Sequence, residues 1–327
     1  MAGRPPQPAP RAQKQSVATN RPPRGLVAPS GFTLIELLVV VSIIALLISI
    51  LIPTLRNARN QAKAAVCASN LHVLGQGMST YAQNHADVLP PGRLPKIDDC
   101  NAYAVIRGGR KYRPTFLAVL GAEVGLPAFD DPQPCGSTVD RFGEKGDRQN
   151  YASSAYVCPA VPSWTDERNG AYAYNYQFLG NSRLRDPAVL DSYRNWPVPL
   201  SRIRSPGATV AVGDCMGTAA SWPRNQRREY ENNARDADRF GNEGFNLDPP
   251  RVDAVNGEMA NFDATPQSRS AADPRHRGRA SILWLDGHTD PQTLGGLGYS
   301  VNPDGVVTFD GDNTLWSGTH QDTAWTP

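Results

Sequence analysis

The sequence lacks the motifs by which many enzymes are recognised. Its 327 residues contain no Gly-x-Ser-x-Gly, no His-Glu-x-x-His and no phosphate-binding glycine loop, and its five histidines are scattered. There is also no Cys-x-x-Cys pair, which argues against a zinc ribbon or a thioredoxin-like site. We therefore expect neither an enzymatic activity nor a cofactor.

The chain also lacks a strong net charge and a second long apolar run. Its formal charge is +2, and because residues 1–31 carry five basic residues and no acid, the rest sums to −3. A nucleic-acid partner is not indicated. A multi-span membrane protein is excluded, since a single stretch is apolar enough to cross a bilayer. Hydrophobic residues make up 40%, enough for a folded core, whereas 29 Gly and 29 Pro argue against a helical bundle.

The N-terminal part reads as a leader followed by a membrane span. Residues 1–31 are rich in Pro, Ala, Gln and Arg without apolar periodicity, which predicts a disordered, basic leader. Residues 32–52 then contain one charge, and as a helix they span roughly the 30 Å hydrocarbon core. A buried core helix would be shorter and less uniformly apolar. A cleaved signal peptide would end its apolar run at small residues, not at Pro-Thr-Leu-Arg.

Glu36 is the single charge inside this apolar run. An intramembrane carboxylate costs a few kcal/mol and usually has a partner, but no Lys or Arg lies within the span. Cleavage after Gly31 would create an α-amino group on Phe32 that supplies the partner. On a neighbouring copy of the chain, that amino group would set the register of an assembly.

The segment Gly31-Phe32-Thr33-Leu34-Ile35-Glu36 resembles the processing site of type IV prepilins and pseudopilins. In that family, prepilin peptidase cleaves after the glycine and methylates the new N-terminal phenylalanine, and the glutamate pairs with a neighbouring N-terminus. Pro53 falls where many pilins carry a helix-kinking proline. The resemblance implies processing between Gly31 and Phe32, and an assembly role for Glu36 and Pro53.

Beyond the span, the pattern predicts an amphipathic helix and then an exported domain. Apolar residues at helical spacing continue the helix through residues 53–85, with one face formed by Cys67, Leu71, Leu74, Met78 and Tyr81. Residues 86–327 are predicted to form an α+β domain with a mainly antiparallel sheet, long loops and a polar insertion at 218–275. The expected elements are a short helix within 112–126 and strands at 155–158, 171–176, 209–214, 280–285 and 305–309.

A second resemblance lies near the C-terminus, where His276 precedes Asp286-Gly287 by nine residues. The pattern is similar to the processing-associated His-x9-Asp-Gly domain that accompanies pilin-like N-termini, especially in planctomycete-type bacteria. Asp-Gly after a strand predicts a hairpin with a type I′ turn. We expect the His and Asp side chains of this hairpin to form ordinary hydrogen bonds. The alternative is a metal site made of His276, Asp286, His288 and Asp290.

Two further sets of residues are candidates for ligation or cross-linking. Asp304, Asp310 and Asp312 offer oxygen ligands for calcium but lack the spacing of an EF-hand loop. Export would place the five cysteines in an oxidising space, where disulfides form. Cys100 with Cys135 and Cys67 with Cys158 are plausible bridges, although spacing alone decides neither pairing.

Two hypotheses follow for the function. The first is a pilin-like structural subunit, anchored in the inner membrane by one span with its N-terminus in the cytoplasm. Its partners would be prepilin peptidase and copies of itself or other pilins, in a type IV pilus or a type II secretion pseudopilus-like structure. The second is a membrane-anchored, exported binding module that never polymerises.

Overall fold

The computed structural model describes residues 31–94, 103–106, 109–112, 114–129, 151, 153–161, 171–185, 193–195, 198–227, 246–251 and 269–323. The leader up to residue 30, Cys100 and Cys135 lie outside these ranges, as does most of 127–150. The chain divides into two compact units, Met1–Pro53 and Thr54–Pro327.

A single long helix begins the described chain. α1 covers Leu34–Asn84 and continues through Pro53, so the predicted end near residue 84 is confirmed. The predicted apolar face is buried at Cys67, Leu71, Leu74 and Met78, and each fully buried leucine contributes about 1.5–3 kcal/mol.

Two glycines of α1 allow its close approach to neighbouring elements. A Cβ atom at Gly77 would lie 2.4 Å from the carbonyl oxygen of Leu120, and one at Gly75 would lie 2.9 Å from Leu283 Cδ1. Glycine destabilises a helix by about 1 kcal/mol relative to alanine. These two residues therefore lower the helix propensity of α1 but allow tight packing against its neighbours. The sequence pattern alone shows no reason for them.

The remaining elements form one main sheet with small accessories. In chain order they are β1 (Tyr103–Ile106), β2 (Gly109–Tyr112), α2 (Phe116–Glu123), β3 (Tyr172–Tyr174), α3 (Tyr176–Leu179), β4 (Asn181–Arg185), β5 (Tyr193–Asn195), β6 (Val210–Asp214), β7 (Ala280–Trp284), β8 (Thr289–Gln292), β9 (Ser300–Val301) and β10 (Val307–Thr308). The main sheet is antiparallel, in the order β3-β6-β7-β8. The pairs β1-β2, β4-β5 and β9-β10 are separate antiparallel ladders.

The main sheet is covered on both faces. One face carries Tyr172, Tyr174 and Leu283, which pack in one core cluster with the buried face of α1 and with α2. On the other face, Ile282 and Trp284 belong to a second cluster built largely from the C-terminal part of the chain. The predicted α+β arrangement, a long helix packed on an antiparallel sheet, is therefore confirmed. The second layer explains why β6 and β7 are buried along their whole length.

Three of the predicted strands differ from the structure. Residues 154–156 form a 3₁₀ turn instead of a strand, because Ser153 caps it by accepting from Ala155 N at 3.2 Å. The strand predicted at 171–176 ends at Tyr174, since the Asn175 side chain donates to Val210 O at 2.9 Å. The last predicted strand shortens to the two residues of β10.

The turn prediction at Asp286-Gly287 is wrong in type. A three-residue loop joins β7 to β8, with Gly287 at φ +95° and Trp284 N bonded to His288 O. This is the three-residue hairpin pattern, which needs one residue with positive φ instead of two. Positive φ at two successive central residues occurs nine positions earlier, at Arg277 and Gly278.

The region predicted as a polar insertion, 218–275, is described only in part. Its described stretches contribute to the second core cluster through Leu247, Ala271 and Ala272. Backbone bridges connect Tyr174 with Asn246 and Cys215 with Ala272. Short 3₁₀ turns begin the region at Gly217–Ser221 and Arg224–Gln226.

Candidate functional site

The N-terminus of α1 is built as a capping box. Thr33 Oγ1 accepts from Glu36 N at 3.2 Å, and the Glu36 carboxylate accepts from Thr33 N and Thr33 Oγ1, both at 2.8 Å. This reciprocal pair satisfies backbone donors that a helix N-terminus leaves open. Glu36 therefore has a partner within its own chain, and the Thr33-x-x-Glu36 spacing is a signal that the sequence analysis did not use.

The apolar run that follows is exposed along its length. Every large apolar side chain from Phe32 to Ile52 is 45–80% exposed. The helix contains an 18-residue window with a mean hydropathy of 3.1, none of it buried. A surface of this kind requires lipid or other helices to cover it.

A second candidate site is a buried cluster in the unit that begins at Thr54. It contains the side chains of Cys67 on α1, Cys158 after the 3₁₀ turn, Asp214 at the end of β6 and His276 before β7. One ligand atom from each residue lies within 4.8 Å of all the others, and all four residues are buried. No other such group of three or more His, Cys, Asp or Glu occurs among the residues described here.

The contacts inside this cluster are short. His276 Nε2 lies 3.3 Å from Cys158 Sγ and 3.4 Å from Asp214 Oδ2, and Cys67 Sγ lies 3.4 Å from Asp214 Oδ1. Four ionisable groups thus meet around one point, and no two of them are close in sequence.

Neighbouring groups hold these side chains in place. Tyr172 donates its hydroxyl to Cys67 Sγ at 3.4 Å, and Ser281 N donates to Asp214 Oδ2 at 2.7 Å. The buried Arg275 guanidinium lies 3.9 Å from Asp214 Oδ1 and is shared with Asp273 at 2.9 Å.

A tight turn positions His276. Its backbone N–H donates to Arg279 O at 3.0 Å, and Arg279 N donates back to His276 O at 3.2 Å. Arg277 and Gly278 between them have φ of +58° and +82°, the conformation that a type I′ turn requires. A non-glycine residue at positive φ is uncommon, and such conformations concentrate at functional sites.

Proton affinities within the cluster are displaced in opposite directions. Burial raises the pKa of Asp214 to about 7, although Arg275 opposes the shift. The hydrogen bond with Cys67 lowers the pKa of Cys158, and the bond with His276 adds to this. The pKa of Cys67 is raised, first by its bond with Cys158 and then by burial. The two thiols are therefore coupled, and His276 lies beside Cys158.

A cleft lies beside one member of this cluster, His276. It has a volume of about 480 Å³, and His276 lies in its wall together with Ala64 and Ala68 of α1 and Ser281 of β7. His276 thus connects the buried cluster to the wall of the cleft.

The structure separates the residues of the predicted His276, Asp286, His288 and Asp290 set. Asp286 Oδ1 pairs with His288 Nδ1 at 2.5 Å, and both side chains are more than 40% exposed. Asp290 accepts from the Gln292 side chain at 2.5 Å. The His276 side chain lies in the buried cluster, whereas Asp286 lies in the exposed hairpin. The two halves of the His-x9-Asp-Gly pattern are therefore in different parts of the domain.

The calcium candidates are not brought together either. Each carboxylate accepts a hydrogen bond from a residue two positions away in the sequence. The donors are Val306 N for Asp304, Thr308 Oγ1 for Asp310 and Thr314 N for Asp312. Side chains used in this way stabilise their own turns.

The disulfide between Cys67 and Cys158 that the sequence left open stays a prediction. The two residues lie in the same cluster, and both are free thiols. Cys215, also a buried free thiol, faces the second core cluster. Sequence reasoning missed Asp214, whose only signal is an acid at the end of the apolar run Val210–Asp214.

Comparison with known proteins identifies the N-terminal segment. A family model, the prokaryotic N-terminal methylation motif, matches residues 29–52, which is less than a tenth of the chain. No curated protein and no solved structure matches the chain. The N-terminus is thus type IV prepilin-like, which suggests processing by prepilin peptidase and membrane anchoring with an exported domain.

Proposed function

We propose that this chain is a pilin-like structural subunit. Prepilin peptidase cleaves it after Gly31 and methylates Phe32, and the mature helix assembles into a type IV pilus or a type II secretion pseudopilus-like structure. The methylation motif at residues 29–52, leading into an exposed apolar helix, is the observation that carries the proposal. The role is structural instead of catalytic.

The proposed location follows from the same segment. The basic leader stays in the cytoplasm, the apolar half of α1 crosses the inner membrane, and residues 86–327 are exported. The buried stripe of α1 from Cys67 to Met78 supports this division, because it gives the exported sheet a helix to pack on. Membership of residues 86–327 in the His-x9-Asp-Gly family is part of the proposal, supported by His276 and Asp286-Gly287 flanking β7.

One observation favours the second hypothesis, a membrane-anchored binding module that does not polymerise. The Glu36 carboxylate already accepts two hydrogen bonds within its own helix terminus. A residue satisfied in this way does not need a neighbouring chain. The two hypotheses differ in whether the helix polymerises, and therefore in whether the charge of Glu36 is needed.

Replacing Gly31 with leucine tests the processing step. A Cβ atom at Gly31 would meet no other atom within 4 Å, so the substitution does not disturb the fold. We expect Gly31→Leu to leave the leader attached, since the peptidase must accommodate the residue before the scissile bond. Immunoblotting of the native membrane fraction should then show a chain that is longer by residues 1–31.

The matched control is Gly295→Leu, because a Cβ atom there also meets nothing within 4 Å. It should be processed like the wild type. The wild-type protein in a host without prepilin peptidase should match Gly31→Leu. Equal cleavage of Gly31→Leu and wild type would contradict the proposal.

A further inference from the structure

The buried cluster brings together the side-chain types that bind transition metals. Two cysteines, an aspartate and a histidine come from four separate parts of the chain, and Cys67 and Asp214 are 147 residues apart. Burying a carboxylate and an imidazole costs free energy unless they are paired or bind a metal. A metal ion at the centre would offset this cost for all four groups together.

The separations fit a tetrahedral metal site. Zinc binds sulfur at about 2.3 Å and nitrogen or oxygen at about 2.0–2.2 Å, which places tetrahedral ligand atoms about 3.3–3.8 Å apart. The distances found are 3.3 Å from His276 Nε2 to Cys158 Sγ, 3.4 Å from His276 Nε2 to Asp214 Oδ2 and 3.4 Å from Cys67 Sγ to Asp214 Oδ1. With one ligand atom taken from each residue, all separations are within 4.8 Å.

Hydrogen bonds alone account poorly for this geometry. His276 Nε2 faces a sulfur and a carboxylate oxygen at nearly equal distances, and one N–H cannot point at both. A disulfide between Cys67 and Cys158 would use the two sulfurs and leave Asp214 and His276 buried without a shared purpose. A cation at the centre satisfies all four groups together.

The surroundings match those of a metal ligand set. Ligands of protein metals are usually oriented by a second layer of hydrogen bonds. Here Tyr172 donates to Cys67 Sγ, and Ser281 N donates to Asp214 Oδ2. Two thiolates, a carboxylate and a neutral imidazole around a dication carry a net charge of −1, and Arg275 places a positive charge 3.9 Å from Asp214.

We propose that Cys67, Cys158, Asp214 and His276 bind one zinc ion in a closed, structural site. Sulfur and imidazole ligands select zinc over magnesium and calcium, which prefer oxygen. Four protein ligands complete the tetrahedron and leave no open position for chemistry. The ion fastens α1 to the sheet, because Cys67 lies on the helix and Asp214 on β6.

The proposal does not depend on cleavage or assembly, since all four ligands lie in the unit that begins at Thr54. It also gives the two cysteines a role in an oxidising compartment. A thiolate bound to zinc is withheld from disulfide formation. The metal would thus replace the cross-link between the helix and the domain that a disulfide would otherwise provide.

The test is the metal content of the full chain, purified in detergent without chelators and measured by inductively coupled plasma mass spectrometry. We expect about one zinc per wild-type chain and about a tenth of that or less in Cys158→Ser and His276→Ala. Cys215→Ser is the matched control, because it removes a buried free thiol outside the cluster and should leave zinc unchanged. His276→Cys keeps a zinc ligand and should retain the metal.

A second measurement avoids dependence on variants that fail to fold. Wild-type protein stripped of metal should take up Co²⁺ and show the visible absorption of a tetrahedral cobalt–thiolate centre, which added Zn²⁺ removes. The proposal is overturned if the wild type holds no zinc and takes up no Co²⁺ with both thiols reduced. It is also overturned if Cys67 and Cys158 are isolated as a disulfide, or if the zinc survives both Cys158→Ser and His276→Ala.

Discussion

Glu36→Val should reduce assemblies of this chain in the native membrane by about tenfold or more, while leader removal proceeds normally. The reason is that valine cannot pair with the α-amino group of Phe32 on a neighbouring copy. Without that pair, nothing in the uniformly apolar segment specifies the register between helices. Chemical cross-linking of intact cells followed by immunoblotting measures the fraction in assemblies.

Glu36→Gln is the decisive companion to Glu36→Val. Glutamine preserves the capping box, because its side-chain oxygen can accept from Thr33 N as the carboxylate does. It removes only the charge. We expect Glu36→Gln to assemble as poorly as Glu36→Val. Normal assembly of the glutamine variant alone would show that Glu36 acts as a helix cap, and normal assembly of both variants would show that assembly does not need Glu36. The absence of assemblies from the wild type as well would favour the membrane-anchored module.

His276→Ala should destabilise the exported domain far more than Asp286→Ala, although the two residues belong to one sequence pattern. His276 is buried against Asp214, and leaving a buried polar group without its partner costs about 1–3 kcal/mol, and more where that group is charged. Asp286 pairs with His288 at the surface, where such pairs contribute about 0–1 kcal/mol. Denaturant unfolding of the full chain in detergent, followed by tryptophan fluorescence, gives both free energies of unfolding.

His288→Ala serves as a control for the surface pair and should match Asp286→Ala. The expected difference holds with or without a bound ion, because His276 supports the buried Asp214 carboxylate in either case. Similar costs for His276→Ala and Asp286→Ala would show that His276 does not stabilise the buried cluster.

The long helix was the most predictable element of the fold. The apolar segment 32–52 continues without a break into a stretch with apolar residues at helical spacing. These two features determine both the extent of the helix and the face that is buried. The short strands were less predictable, because single side-chain hydrogen bonds determine whether such a segment forms a strand and where it ends. Ser153 converts a strand-like run into a 3₁₀ turn, and Asn175 ends β3. The tight packing at Gly77 depends on Leu120, which no local pattern links to it.

The candidate sites show the same division between local and distant information. The processing segment is contiguous, so six residues are enough to recognise it. The buried cluster is not contiguous: the sequence drew attention to Cys67 and Cys158 as a possible bridge and to His276 in a separate motif, and missed Asp214. Their convergence depends on β6 and β7 pairing under α1, which is a property of the tertiary fold.

Mass spectrometry of the N-terminus, on protein taken from its native membrane, tests the central claim most directly. The prepilin-like account predicts a chain that begins at Phe32 and carries one methyl group on its α-amino nitrogen. A chain that still begins at Met1, isolated from cells with active prepilin peptidase, would contradict it.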